Sequence, residues 1–455
     1  MNADSRTSAA LAGHLAARLT AVYGTPVEVT GLRRLSGGAS RETWSFDADR
    51  RPLILRRDPP VAPAHTEMAR EAAVLTVAAR GGVPVPQLID HGDGAGTIGA
   101  PYLIMERLTG ETIPRRLLRD ERFAGVRPGL ARSLGGILAR IHALPPDEVP
   151  GLPAGDPLED LVAMYEEFGE PRPAIEIALR WLASDRPSAG GDAIVHGDFR
   201  NGNLMIASDG VRGVLDWELV HRGDPVEDLG WLCVKAWRFG AAGPVGGFGA
   251  RTDLLSGYTA AGGTAPSPEA LHWWEVYGTL RWAILCRYQA ERYLSGADSS
   301  IELAALGRRV CEQEHDLLLI LGLTEPRTAD PLPDRAVPPA VPHDRPDASR
   351  LIDAVRAFLS EEVATGEDER LRFHALVAAS MLGIAQRELL FRDEHGAAHR
   401  RRLESLGCRD DASLARAIRD GGLDDRFDDV TAAVRDAVTD KLVVANPRHL
   451  ATPGG

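Results

Sequence analysis

Residues 194–218 read Ile-Val-His-Gly-Asp-Phe-Arg-Asn-Gly-Asn-Leu-Met-Ile-Ala-Ser-Asp-Gly-Val-Arg-Gly-Val-Leu-Asp-Trp-Glu. Two apolar runs flank Ser208-Asp209-Gly210, which predicts a hairpin with Asp209-Gly210 as its two-residue loop. In that register Ser208 pairs with Val211, and Asn203 falls opposite Asp216 at the open end. Directly opposed side chains have Cβ atoms about 4.5–5.5 Å apart, close enough for the Asn203 and Asp216 oxygens to share one cation. A slip of one residue would send one of the two to the other face.

Asp198 lies five positions before Asn203. That is the spacing of a kinase catalytic loop, in which an Asp accepts the substrate hydroxyl proton and an Asn after four intervening residues holds metal. The run His196-Gly197-Asp198, the Asn203 that follows and the later Leu215-Asp216-Trp217-Glu218 resemble the aminoglycoside phosphotransferase family, the small-molecule branch of the protein-kinase-like fold. They are similar also to choline and homoserine kinases, and more so to the kinase-like domains found beside acyl-CoA dehydrogenases. The resemblance implies an α+β, bilobal kinase-like fold with a small β-rich N-lobe and a mostly helical C-lobe, followed here by a C-terminal all-α domain. It implies ATP and Mg²⁺ as cofactors, with Asp198 as catalytic base, Asn203 and Asp216 as metal ligands, and Arg200 as a cation beside the transferred phosphoryl group. A polar hairpin with chance spacing and a solvated loop arginine are the plain alternatives. By the same likeness His196 orders the loop, and Asp228, in Asp224-Pro225-Val226-Glu227-Asp228-Leu229-Gly230, braces it through backbone N–H groups.

A chain of 455 residues exceeds the roughly 250–300 at which single cores stop growing, so two or three domains are expected. The divisions suggested are an N-lobe over 1–106, a C-lobe over 107–324, a Pro-rich linker over 325–346 and a helical domain over 347–455. A net charge of −13 argues against a nucleic-acid or anionic-membrane binder, which needs a basic surface. Cys233, Cys286, Cys311 and Cys408 are scattered, which suggests reduced thiols without a zinc site or a disulfide framework. The N-terminal stretch carries no secretory apolar core, and no run of about 18 apolar residues would span a bilayer. A cytoplasmic protein is expected.

Ahead of the site, residues 8–22 have helical spacing, with Leu11, Leu15, Leu19 and Val22 on one face. Strands are predicted over Val27–Leu35, Thr43–Asp47 and Leu53–Arg56, with Ser36-Gly37-Gly38-Ala39-Ser40 as a loop between the first two. Such a loop lets backbone N–H groups approach phosphate oxygens, although Gly-Gly is also a plain turn. Residues 66–80 predict a helix, stopped by Gly81-Gly82. Tyr102–Glu106 predicts a buried strand; in the kinase-like pattern it is the hinge between lobes, and backbone groups at Met105, Glu106 and Leu108 would meet the adenine edge.

Kinases normally use a strand lysine, paired with a glutamate on the next helix, to hold the α- and β-phosphates. This chain has only Lys235 and Lys441, neither in the N-lobe. Arg56, at the end of its strand, occupies the matching place, and Glu71 is its natural partner. Strand alternation points one of Arg56 and Arg57 inward; the alternative is an arginine facing solvent at a strand end.

From 128 to about 323 the chain reads as mostly helical, with Leu130, Leu134, Ile137, Leu138 and Ile141 on a buried stripe. Trp273, Trp274, Tyr277, Leu280, Trp282, Leu285 and Tyr288 predict a core helix. Seven prolines between Pro326 and Pro346 predict an extended spacer. Beyond it, 347–392 and 411–444 read as helical, separated by a charged loop at Arg392–Arg402. The function these features suggest is ATP-dependent phosphorylation of a small-molecule hydroxyl, on a hydroxyacyl-CoA-like metabolite or an aminoglycoside-like antibiotic. The alternative is a catalytically silent nucleotide-binding pseudokinase module acting through its helical tail.

Overall fold

The computed structural model describes residues 3–35, 41–58, 66–95, 98–327 and 346–451. The loop Ser36–Ser40 and most of the Pro-rich stretch, residues 328–345, lie outside the described residues. The chain divides into two compact units, Met1–Gly155 with Ser188–Trp274, and Asp156–Pro187 with Glu275–Gly455.

In the first unit, β1 (Val29–Arg34), β2 (Glu42–Ala48), β3 (Arg51–Arg57), β4 (Leu88–Gly92) and β5 (Tyr102–Glu106) form an antiparallel sheet of order β1-β2-β3-β5-β4. Asp49 and Arg50, both at positive φ (47° and 68°), make the tight β2–β3 turn, whose twist matches the strands it joins. Helix α1 (Ala3–Tyr23) lays Leu11, Leu15 and Leu19 against Trp44, Phe46, Leu53 and Leu55. Val22, expected on that face, is exposed, and Tyr23 packs in its place. A four-residue step rotates about 40° beyond a full turn, so the stripe arrives at Tyr23. Helix α2 (Thr66–Arg80) ends as expected, with Gly82 at φ +73°.

The helical part of this unit depends on close backbone approach. Helices Arg127–His142 and Arg251–Ala260 meet at Gly135 and Gly257. A Cβ on Gly135 would lie 2.0 Å from the Leu254 carbonyl oxygen, and one on Gly257 would lie 1.9 Å from that of Arg132. Both glycines are there because the helices touch main chain to main chain. The predicted stripe from Leu130 to Ile141 is buried.

The second unit is helical. Ala174 and Ile177 of helix Pro173–Ser184, Cys311 and Leu318 of Val310–Ile320, Leu403, Leu414 and Ile418, and Val430, Val434, Val438 and Leu442 of Phe427–Ala445 share one core. Segments on both sides of the Pro-rich stretch therefore build one hydrophobic interior. Buried ion pairs tie it further: Glu314 accepts from Arg172 at 3.2 Å and Lys441 at 3.1 Å, and Glu176 takes both forks of Arg419 at 3.0 and 2.7 Å. Burial opposes ionisation of Glu314, but the Lys441 and Arg172 charges hold its pKa below the ordinary value.

Two expectations for the helices are corrected. The charged stretch Arg392–Arg402 is not a loop, because one helix runs over Glu369–Ser405. Its Arg, Glu, Ala and His residues are all compatible with a helix, and the single Gly396 costs only about 1 kcal/mol. The break before the helix at Asp411–Arg419 falls later, at Leu406–Asp410, and a further interruption falls earlier, where a π turn (Phe358–Glu362), a 3₁₀ turn (Val363–Thr365) and Gly366 end helix Ala348–Ala357. Asp368 then caps the next helix by accepting the Arg370 and Leu371 N–H groups. In helix Pro268–Leu294, Trp273, Trp274, Tyr277 and Leu280 are buried as expected, but Tyr288 is exposed. Among the described residues no helix is long and apolar enough to cross a membrane.

Candidate active site

The loop that carries Asp198 follows β6 (Ala193–Val195), which pairs with β9 (His221–Gly223). It is anchored from below by Asp228, on helix Val226–Cys233. The fully buried Asp228 carboxylate accepts the His196 N–H at 2.8 Å and the Gly197 N–H at 3.0 Å, and meets His142 Nε2 at 3.2 Å. Burial disfavours its charge, yet the His142 contact and the backbone donors keep its pKa below the ordinary aspartate value. His196 is also fully buried; its Nδ1 accepts the Asp198 N–H at 3.1 Å, so Nε2 carries the proton donated to the Leu215 carbonyl at 3.0 Å. Its ring lies against Trp217, with centroids 4.6 Å apart. His196 thus orders the loop, as expected.

Gly197 has φ +79°, and a Cβ there would stand 2.4 Å from the Leu219 carbonyl oxygen. Conformation and space both require glycine. Gly197→Ala should therefore cost about 2 kcal/mol or more, read as a lower midpoint in thermal unfolding. An unchanged midpoint would contradict the tight approach.

Asp198 is held from three sides. Oδ1 accepts from Trp231 Nε1 and from Arg200 Nε, both at 2.9 Å, and Oδ2 accepts from Asn203 Nδ2 at 2.6 Å. Asn203 also donates to the Asp198 carbonyl at 3.0 Å. With its amide nitrogen so engaged, its Oδ1 is the end left for a cation. The Arg200 guanidinium carbon lies over Trp237, 4.7 Å from the ring centroid, and its charge sits directly against Asp198.

The hairpin forms, but in another register. β7 (Leu204–Ala207) pairs with β8 (Gly210–Val214) as Ala207↔Gly210, Ile206↔Val211, Met205↔Gly213 and Leu204↔Val214. Within the turn the positive φ falls on Gly210 (+142°) and not on Asp209, so Ser208 and Asp209 are the loop residues. A turn of this kind pairs differently from a two-residue primed turn, and an irregularity between Met205 and Ile206 shifts the pairing again. Leu215 N–H consequently donates to the Asn203 carbonyl at 2.8 Å, and Asn203 faces Leu215 instead of Asp216. Asp216 then adopts φ +65°, a left-handed conformation that few aspartates take, which redirects the chain as it leaves the strand. A strained non-glycine residue of this kind is typical of functional loops.

Asp216 Oδ1 accepts from Arg56 Nη2 at 2.7 Å. Nη1 of the same guanidinium bonds Glu71 Oε1, and Glu218 lies 4.0 Å from it. Burial works against the Arg56 charge, but Glu71, Asp216 and Glu218 hold its pKa above the ordinary arginine value. Arg57 takes the other face of β3 and pairs with Glu42 at 2.6 Å. The inward arginine is therefore Arg56.

At the predicted hinge, Met105 is buried. Glu106 N–H donates to the Gln87 carbonyl at 2.9 Å and Arg107 N–H to that of Pro52 at 3.0 Å, so neither is open to a base. Leu108 packs on the hairpin, where a Cβ at Gly213 would meet its Cδ1 at 2.3 Å. Glu111 exchanges both backbone hydrogen bonds with Ile206, which straps the segment after the hinge to the hairpin.

Sequence reading missed three participants. Arg41 is a buried arginine bonded to Glu71, Asp58 and Glu67. Trp231 and Trp237 hold Asp198 and Arg200. The signal for Arg41 was strand alternation, since Thr43 pairs with Arg56 and Arg41 lies two residues away on the same face. No local pattern marks either tryptophan.

Among the described residues no group of three or more His, Cys, Asp or Glu side chains is placed to hold a metal ion. Asn203 Oδ1 and the second oxygen of Asp216 are hard donors of the type Mg²⁺ prefers, an ion that usually takes its other ligands from phosphates and water. The donor chemistry fits.

Fold and site together define a protein of the kinase-like phosphotransferase class. The chain belongs to the phosphotransferase enzyme family (APH), whose model matches residues 31–274. Residues 365–449 match a second model, described as a domain of unknown function (DUF6285). Acyl-CoA dehydrogenase family member 10 of Mus musculus is 28% identical over 220 residues, 45% of this chain and 20% of that protein. Viomycin phosphotransferase of Streptomyces vinaceus is 30% identical over 164 residues, 32% of this chain and 55% of that protein. The chain thus spans well under two thirds of either relative. A solved structure provisionally described as an aminoglycoside phosphotransferase of Ralstonia eutropha gives a TM-score of 0.55 at 21% identity, covering 69% of this chain and 98% of that one. A variant of aminoglycoside 2′-phosphotransferase IIIa in complex with GDP gives 0.51 at 12%, covering 68% and 99%. Both share the fold.

Proposed function

We propose that this protein transfers the γ-phosphoryl group of ATP, with Mg²⁺, to a hydroxyl of a small molecule. The observation that carries the reading is the placement of Asp198. It is fixed by Trp231, Arg200 and Asn203 at the end of a loop clamped by Asp228. Phosphoryl transfer needs positioning and charge neutralisation more than covalent help. Bound Mg·ATP supplies the electrophilic phosphoryl group. Asp198 accepts the acceptor's hydroxyl proton, and Arg200 offsets negative charge beside it. Asn203 and Asp216 would hold the metal, whose charge would offset that of the phosphates. Arg56, positioned by Glu71, reaches the inner phosphates in place of the usual lysine. The adenine edge meets Met105–Leu108, with Leu108 N–H as donor because those of Glu106 and Arg107 are already committed.

The acceptor is a hydroxylated metabolite such as a hydroxyacyl-CoA, or an antibiotic of the aminoglycoside type. Likeness to the acyl-CoA dehydrogenase family member supports the first, and likeness to viomycin phosphotransferase supports the second. An ADP-release screen over hydroxyacyl-CoA thioesters, aminoglycosides, viomycin and amino alcohols tests the proposal. The expected result is release above ATP hydrolysis with one class, lost in Asp198→Asn. Nucleotide binding without release for any class would favour a silent nucleotide-binding module, the reading to which the absent lysine points.

A further inference from the structure

We propose that Arg41 is a positioning residue of the nucleotide site, which keeps Glu71 from taking both arms of Arg56 and so leaves one arm for Asp216 and the phosphates. The inference rests on the nucleotide reading above and deepens it.

The sheet register brings the group together. β2 and β3 pair as Glu42↔Arg57 and Thr43↔Arg56, and alternation places Arg41, Thr43, Arg56 and Asp58 on one face. The Arg41 side chain is 5% exposed and spends all three nitrogens on carboxylates. Nε bonds Asp58 at 3.1 Å, Nη2 bonds Glu67 at 3.1 Å, and Nη1 bonds Glu71 Oε2 at 2.5 Å, with Glu218 at 3.7 Å. Glu71 is itself 1% exposed and divides its oxygens, Oε2 to Arg41 and Oε1 to Arg56.

That division follows from using arginine in place of lysine. A lysine offers one nitrogen and cannot be gripped twice, whereas an arginine fork matches a carboxylate and tends to bind it through two parallel bonds. If Glu71 presented both oxygens, Arg56 would dock on it with Nη1 and Nη2 together, and Nη2 would leave Asp216. With Oε2 already occupied, Glu71 holds Arg56 by one arm only, and the other meets Asp216 at 2.7 Å. Arg41 is buried beneath this arrangement, so it acts through Glu71 and Arg56.

The distinguishing experiment is a double-mutant cycle. Nucleotide affinity is measured with a fluorescent ATP analogue and Mg²⁺ for wild type, Arg41→Met, Arg56→Lys and the double variant. The expected result is about tenfold weaker binding for Arg41→Met in the arginine background, and less than about threefold in the Arg56→Lys background, where there is no second arm to capture. An equal loss in both backgrounds would make Arg41 a merely structural residue and overturn the inference, as would no loss at all. Should circular dichroism show Arg41→Met unfolded, Arg41→Lys replaces it in the same cycle, since it keeps the charge but its single nitrogen cannot span Asp58, Glu67 and Glu71 as the three guanidinium nitrogens do. Wild-type protein that binds no nucleotide overturns the functional reading itself and this inference with it; wild-type binding with an additive cycle overturns the inference alone.

Discussion

Asp198→Asn is expected to lower turnover about 10³-fold while leaving nucleotide affinity within about threefold, a loss of roughly 4 kcal/mol in transition-state stabilisation alone. The two side chains have the same shape, and an asparagine oxygen can still accept from Trp231 and Arg200. What is lost is the capacity to take up the hydroxyl proton, together with the bond that Oδ2 accepts from Asn203, whose bond to the main-chain carbonyl at 198 remains. Comparing kcat with nucleotide Kd separates this from a binding defect. A variant that keeps wild-type turnover would exclude Asp198 as the base.

The second large effect is structural. Asp228→Asn should cost about 3 kcal/mol, lower the thermal midpoint by on the order of 10 °C, and slow turnover by misplacing the loop. The buried carboxylate receives two backbone N–H groups and His142 from different directions. An asparagine nitrogen would point a donor at one of those donors. The effect has a defined pH dependence. The folded-state pKa of Asp228 lies below the ordinary value of 3.8. Its stabilisation is therefore fully present above that value and fades as pH falls through the lower folded-state pKa. The gap between wild type and variant should stay level at neutral pH and close in strong acid. A gap that widens on acidification would mean the carboxylate is not stabilised as a charge.

The parts of the fold that were legible in the sequence are those fixed by local pattern. The Asp198–Asn203 spacing lies within one loop, so six residues suffice to read it, and β5 and α2 are bounded by their own composition and stop signals. Arg56 could be placed by its strand and its distance from Glu71. The Asn203–Asp216 register was less legible because it depends on which turn residue takes a positive φ. Asp-Gly allows more than one answer, and Gly210 alone takes it here. Arg41 escaped notice because an arginine beside a glycine-rich loop reads as solvated until the facing carboxylates of Asp58 and Glu71 are known. The helix through Arg392–Arg402 was obscured by reading charge as a break, when charge alone does not oppose helix formation. The shared core of the second unit joins residues more than 200 positions apart, such as Ala174 and Val434, and no local window contains both.

The most direct measurement of the central claim is a crystal structure with a non-hydrolysable ATP analogue and Mn²⁺, with the metal located by its anomalous signal. The account predicts a peak bonded to Asn203 Oδ1 and to an Asp216 oxygen at about 2.1 Å, with the γ-phosphate facing Asp198. A metal bound elsewhere, or a γ-phosphate turned away from Asp198, would contradict it.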